Sequence, residues 1–244
     1  FHFTLYAGPK EIDTMKTAHL KLEKAVNFGW FDVIAQPLLV TLKFMNRFTH
    51  NYGVAIILLT VLIKILFWPL THKSYVSMQG MKKLQPKMAK IKEKYRDNRE
   101  KMNQEVVQLY RTHKVNPLGG CLSMLLQIPV FFALYKVLFV AIEMRHAPFF
   151  GWIHDLSMPD PFFVLPALYT LVMLGQQYLM PAAAGMDPAQ AKMMKFMPLL
   201  FAVMFAFFPA GLCLYYVVNG ITGLAQQWYI TRQIDQQDLK VRAA

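Results

Sequence analysis

The sequence predicts an all-α, polytopic membrane protein: a five-transmembrane-helix core with a cytoplasmic helical hairpin and an N-terminal interfacial amphipathic helix. Three observations carry that prediction. Of the 244 residues, 55% are hydrophobic and only 16% are charged, where a soluble domain carries about a quarter. The apolar residues gather into five runs, each on the scale of the ~30 Å hydrocarbon layer. The net charge of +12 is concentrated, because residues 71–116 hold 12 Lys/Arg against 4 Asp/Glu. A basic block between two apolar spans marks a loop on the cytoplasmic side, and it is also a natural surface for acidic partners such as RNA or anionic lipid.

Each element follows in turn. Residues 1–29 are mixed, polar and too short for a domain, and with Phe1 in first place they read as the end of a longer protein. Over 30–49, Phe31, Ile34, Leu38, Leu42 and Met45 recur at helical spacing, with Asp32, Gln36, Lys43, Arg47 and His50 on the other side. That pattern fits an amphipathic helix lying in the membrane interface. Residues 52–70 form the first span, closed by Trp68 and Pro69.

Residues 71–116 contain a 3-4-3-4 seam of Met81, Leu84, Met88, Ile91 and Tyr95. Asp97-Asn98 interrupts it, and Met102, Val106 and Leu109 resume it. The pattern predicts two helices paired in a hairpin outside the membrane. Further spans are read at 118–142, 162–180, 188–208 and 211–231. Between them lie a polar aromatic loop at 143–161, a short loop at 181–187 ending in an Asp187 N-cap before Pro188, and a Pro209-Ala210-Gly211 turn. A tail at 232–244 closes the chain.

Charge counting orients the spans. The hairpin block, Lys192 and Lys195, and the tail residues Arg232, Lys240 and Arg242 fall on one side; Arg145 alone falls in the 143–161 loop. The positive-inside rule then places the N-terminal segment outside and the C-terminus in the cytoplasm. Cys121 and Cys213 come near opposite faces, out of reach of a disulfide.

The motifs of covalent chemistry are absent from the sequence. No HExxH, no GxxxxGK[ST] phosphate loop and no GxGxxG after a strand occurs, and no Asp lies inside a span. Ser123 has no basic partner at helical spacing. The sequence therefore predicts no enzyme, no metal and no cofactor.

What stands out is polarity inside the spans. Lys64 and Thr60 share a face of the first span, Gln127 precedes Pro129 in the second, and Gln176 and Gln177 lie late in the third. Tyr216, Asn219, Gly223 and Gln226 share one face of the fifth. Such side chains cost roughly 2–3 kcal/mol or more each in hydrocarbon and usually face a bundle interior or a wet cavity. Lys64 alone has a second reading, snorkelling to the cytoplasmic headgroups. Each amide alone has one too, as glue between helices. Together, mostly toward the cytoplasmic half, they favour one shared polar cavity.

At this point the residues match a known family. NYGVAIILLTVLIKILFWPLT, LQPKM, KVNPLGGCLSMLLQIPVFFALY, APFFGWIHDLSMPDPFFVLPAL and FPAGLCLYYVVN resemble the bacterial branch of the YidC/Oxa/Alb membrane insertases, across essentially all of 28–235. The resemblance implies that 1–29 ends a periplasmic domain and that the chain sits in the bacterial inner membrane. It implies a hydrophilic groove that moves nascent membrane proteins into the bilayer, alone or with the Sec translocon. It also implies contacts with the ribosome and targeting machinery through the hairpin and tail, and with membrane lipids. The groove residues it implies are Lys64, Thr60, Gln127, Gln177 and Tyr216, to which the polar face of the fifth span adds Asn219. The family pattern has arginine where this chain has Lys64, which keeps the charge but loses the planar bidentate fork. The main alternative is a small membrane transporter or channel, which would need paired ion sites or inverted repeats; a second is an assembly factor that folds helices already inserted, for which Lys64 would be dispensable.

Overall fold

The computed structural model describes residues 32–96, 98–113, 115–140, 144–179 and 188–243, and every regular element among them is a helix. The readings for 1–29, for the 181–187 loop with its Asp187 cap, and for the Cys121 side chain lie outside the described residues.

The amphipathic stretch forms α1 (Asp32–Thr49), with Ala35, Leu39 and Leu42 buried. Asn51 then starts α2 (Tyr52–Leu66), its side-chain oxygen accepting from the N–H groups of Gly53 at 2.9 Å and Val54 at 3.2 Å. This is an N-cap, satisfying two of the donors a helix start leaves free.

The helix expected to run over 52–70 stops at Leu66. A second helix, α3 (Trp68–Lys94), begins one residue later with its axis turned by 67°. The cause is Pro69 in the first turn of α3. It has no N–H to return to the Ile65 carbonyl, and its ring fills the space where that bond would form. The chain thus turns at Phe67, whose N–H closes α2 on the Ile63 carbonyl at 3.0 Å.

α4 (Arg99–Thr112) folds back on α3 to make the hairpin, with Asn98 accepting from the Lys101 N–H at 3.0 Å as its cap. Leu84 and Met88 are buried, Met102, Val106 and Leu109 are half-buried, and the Tyr110 hydroxyl donates to Met88 Sδ at 3.3 Å. The Met-rich seam is spent on the hairpin's own packing.

Four more helices complete the chain: α5 (Pro117–Val140), α6 (Val164–Leu179), α7 (Pro188–Phe205) and α8 (Ala210–Ala243). The last span and the tail are one continuous helix, because no Gly or Pro follows Gly223 to stop it. α1 lies on α2 and α5, α2 and α6 pack on α8, α3 packs on α5 and α8, and α7 rests chiefly on α6.

Among the described residues, no single helix is long and apolar enough to cross a membrane, but the bent pair α2 and α3 meets that measure together. The surface of the bundle is more informative. Leu66 and Leu200 are each 70% exposed and Phe207 75%, and Ile65, Leu125, Leu171, Phe196 and Leu199 also point outward. Water-soluble monomers rarely show apolar patches beyond a few hundred Å². An outer surface built this way calls for apolar surroundings.

Candidate functional site

The end of the bundle where α2 and α8 begin is sealed by the 144–163 loop. The N–H of Ala210 donates to the Met158 carbonyl at 2.7 Å, and that of Gly211 to the Leu156 carbonyl at 2.9 Å. A Cβ on Gly211 would lie 3.2 Å from that same Leu156 oxygen, so a residue without a side chain permits the close approach.

Asp160, 2% exposed, organises this loop. Its Oδ1 accepts from the Trp152 indole at 2.9 Å and the Phe162 N–H at 3.1 Å, and its Oδ2 from the Leu165 N–H at 2.7 Å. These bonds flank Phe163, which sits at φ 55, a left-handed conformation unusual for a bulky residue. Asp155 makes a smaller turn of the same kind, accepting from the Ser157 N–H at 2.8 Å and hydroxyl at 2.6 Å. Burial alone would raise its pKa, but hydrogen bonds from the Ser157 side chain and backbone and the His146 backbone hold it below the ordinary carboxylate range. The stability this contributes is present above that range and is lost as pH falls through the lowered value.

Beneath the loop, rings fill the bundle. Tyr216 packs edge-on against Phe131 at 5.7 Å, Tyr169 at 5.5 Å, Phe205 at 5.0 Å and Tyr215 at 5.2 Å. Tyr135 and Phe208 extend the cluster. Tyr215 is fully buried, and its hydroxyl accepts from Gln127 Nε2 at 2.7 Å.

Past Gln127, toward the hairpin end, the interior changes character. A cavity of about 220 Å³ is bounded by five helices. Ile63 and Lys64 come from α2, Phe67 from the bend, and Thr71 and Tyr75 from α3. Leu126, Gln127 and Val130 come from α5, Gln176 from α6, and Asn219 and Gly223 from α8. The lining contains one cation and no carboxylate, and Lys64 makes no ion pair with any described residue. The wall between α3 and α8 is tied by polar bonds. Gln226 donates to the Thr71 hydroxyl at 2.7 Å, Gln79 to the Thr231 hydroxyl at 2.7 Å, and the Tyr75 hydroxyl to the Gly223 carbonyl at 3.4 Å.

The structure thus brings together Lys64, Gln127 and Asn219 among the residues expected in a groove. Thr60, Gln177 and Tyr216 do not line the cavity. Thr60 is fully buried and donates to the Ile56 carbonyl at 2.7 Å within its own helix. Gln177 donates to the Met194 carbonyl and joins α6 to α7. Tyr216 belongs to the ring cluster on the sealed side. Gln176 takes the place in the wall that the sequence reading gave to its neighbour.

Thr71 and Tyr75 were not expected, since both lie beyond the apolar run. Lys64, Phe67, Thr71 and Tyr75 follow one another at spacings of three, four and four, but the bend at Phe67 breaks the helix on which they would share a face, so the spacing alone does not bring them together.

The cavity's geometry can be set beside known proteins. The 60Kd inner membrane protein family matches residues 44–237, and the YidC periplasmic domain family matches residues 1–41. A protein of Geotalea daltonii named membrane protein insertase YidC is 54% identical over 232 residues, 95% of this chain and 43% of that protein. One of Magnetococcus marinus with the same name is 54% identical over 235 residues, 96% of this chain and 42% of that protein. The chain therefore spans less than half the length of these relatives. A solved structure of an active YidC insertase with its first transmembrane domain resolved superposes with a TM-score of 0.68 at 28% identity, covering 91% of this chain and 54% of that one. An all-helical bundle with an apolar exterior, matched by the family over most of its length, leaves no doubt about kinship: the chain belongs to the 60Kd inner membrane protein family, the bacterial inner membrane family that includes the YidC insertases.

Proposed function

We propose that this chain is the insertase core that takes nascent membrane proteins from the cytoplasm into the inner membrane. The observation that carries the reading is the unpaired Lys64 ammonium in a polar cavity, inside a bundle whose outer surface is apolar. A lone cation there attracts acidic residues in the substrate segment that must cross. The polar wall lowers the cost of carrying that segment part-way. The substrate's apolar helix moves along the lipid-facing side and gains the transfer free energy of about 20 apolar residues. Apolar burial and, for negative tails, the membrane potential supply the drive, so no nucleotide and no bond-making chemistry enter the scheme.

In this reading α1 lies in the outer interface, the sealed end faces the periplasm, and the hairpin and the end of α8 face the cytoplasm. The hairpin block, with its 12 Lys/Arg against 4 Asp/Glu, is a docking surface for the ribosome or targeting machinery, and the Sec translocon is a lateral partner.

The experiment is reconstitution. Purified protein in liposomes is expected to insert a short single-span substrate with no ATPase present. No insertion above protein-free liposomes would refute the reading. Deleting 78–110 is expected to leave the remaining bundle folded but to impair insertion of ribosome-bound chains. Normal insertion by that variant would show that the charged hairpin only fixes topology.

A further inference from the structure

Where α3 begins and α8 leaves the bundle, a cluster of rings and one cation takes no part in the cavity. Trp68, the first residue of α3, lies 6.5 Å from the Tyr229 ring of α8. The Arg232 guanidinium sits over the Trp228 ring at 5.3 Å. All three rings are exposed, Trp228 by 56%, and none of them lines the cavity. The donors of the cluster are open. Arg232 makes no ion pair with any described residue, Asp235 one turn further on included. The Trp228 ring covers one face of the guanidinium and leaves the donors in its plane available. The Tyr229 hydroxyl accepts from Gln233 Nε2 at 2.8 Å, and its own proton meets no acceptor among the described residues. The cluster also has a definite depth. α8 carries no charge from Ala210 to Thr231, about 30 Å of helix, so Arg232 stands one hydrocarbon thickness from the sealed end. Ile221, exposed seven residues before Trp228, continues the same face back into that layer.

We propose that Trp68, Trp228, Tyr229 and Arg232 form a site for the headgroup of one acidic phospholipid of the inner leaflet, with Arg232 and Tyr229 donating to its phosphate and its acyl chain lying along the Ile221 face. The proposal goes beyond the insertion reading and takes from it only the placing of the hairpin end at the cytoplasmic face. Indole and phenol rings settle at the headgroup level because one part of each is apolar and the other wet. A guanidinium fixed on an indole meets a phosphate with two donors at once, and its charge prefers a headgroup without an ammonium of its own. A phosphate attached to acyl chains satisfies both halves of the cluster, the donors and the exposed apolar surface. Trp68 belongs to α3 and Tyr229 to α8, so a headgroup seated there lies across the pair of helices that Gln226 and Thr71 tie together.

The test uses the full chain in detergent micelles, titrated with phosphatidylglycerol or with phosphatidylcholine, and native mass spectrometry counts the lipids retained. The wild-type chain is expected to hold phosphatidylglycerol at concentrations where phosphatidylcholine is lost. Arg232→Gln is expected to weaken that binding about fivefold, the scale of one basic residue at the membrane surface. Tyr229→Phe, which removes a single oxygen and keeps the ring, is expected to weaken it about twofold to tenfold, the scale of one hydrogen bond. Arg232→Lys keeps the charge without the planar fork and should fall between wild type and Arg232→Gln. Arg145→Gln removes the same charge from an exposed position in the 144–163 loop, at the other end of the bundle, and should leave binding unchanged. Equal weakening by Arg145→Gln and Arg232→Gln would show diffuse attraction and overturn the site. Equal retention of the two lipids by the wild-type chain, or full displacement of phosphatidylglycerol by an equal concentration of inorganic phosphate, would overturn it as well. No arm of the test measures insertion, so its failure leaves the insertion reading where it stands.

Discussion

Asp160→Ala is expected to destabilise the protein by about 2–4 kcal/mol, because it leaves three donors without their acceptor at once, the Leu165 N–H in a buried setting and the other two partly buried. The Trp152 indole and the Phe162 and Leu165 N–H groups all end on this one carboxylate. The loss travels along the loop, since the Leu156 and Met158 carbonyls hold the start of α8. Asp160→Asn should cost about a third as much, because its carbonyl oxygen can keep the two bonds now made by Oδ1 while the Leu165 N–H meets an amide instead. Unfolding in detergent, followed by tryptophan fluorescence and by protease cleavage within 144–163, measures both. A wild-type profile for Asp160→Ala would mean that the loop is not what seals this end.

Lys64→Glu is expected to abolish insertion of substrates with acidic tails. Reversal replaces an attraction with a repulsion at the same place. A screened surface pair is worth at most about 1 kcal/mol, whereas a close pair at an effective dielectric near 20 reaches roughly 4 kcal/mol. Lys64→Arg keeps the charge and should remain active. Lys64→Gln keeps polarity without charge and should lose the acidic-tailed substrate while neutral-tailed ones insert. If lysine instead served as a headgroup anchor, Gln would be mildly harmful to every substrate alike. An insertion assay with matched protein levels separates these patterns, and equal loss across all substrates would make Lys64 an anchor.

Much of the fold was legible because periodicity reports burial. The seam through Leu84 and Met88 and the buried Leu42 of α1 fall where helical spacing puts them. The break at Phe67 was not, because Trp68-Pro69 reads equally as a membrane boundary and as the first turn of a new helix. In the cavity, Lys64, Gln127 and Asn219 stood out as polar groups in apolar runs. Gln176 and Gln177 are adjacent and point about 100° apart, and sequence alone does not say which faces in. Tyr216 illustrates the opposite difficulty. Its hydroxyl suggested a wet wall, but its ring is held among Phe131, Tyr169, Phe205 and Tyr215, and packing decides for an aromatic side chain. Thr71 and Tyr75 reach the cavity only because the chain bends by 67° and brings α3 against α8. No local pattern encodes that contact.

The most direct measurement of the central claim is site-specific photocrosslinking to a stalled nascent chain with an acidic tail. Probes placed at Gln127, Gln176 and Asn219, all in the cavity wall, are compared with probes at the outward-facing Leu125, Leu171 and Ile221. Adducts to the tail from the wall positions, and to the apolar segment from the outward positions, are the expected result. A tail captured only by the outward positions, with none at the wall, would contradict the proposal that the segment crosses through the Lys64 cavity.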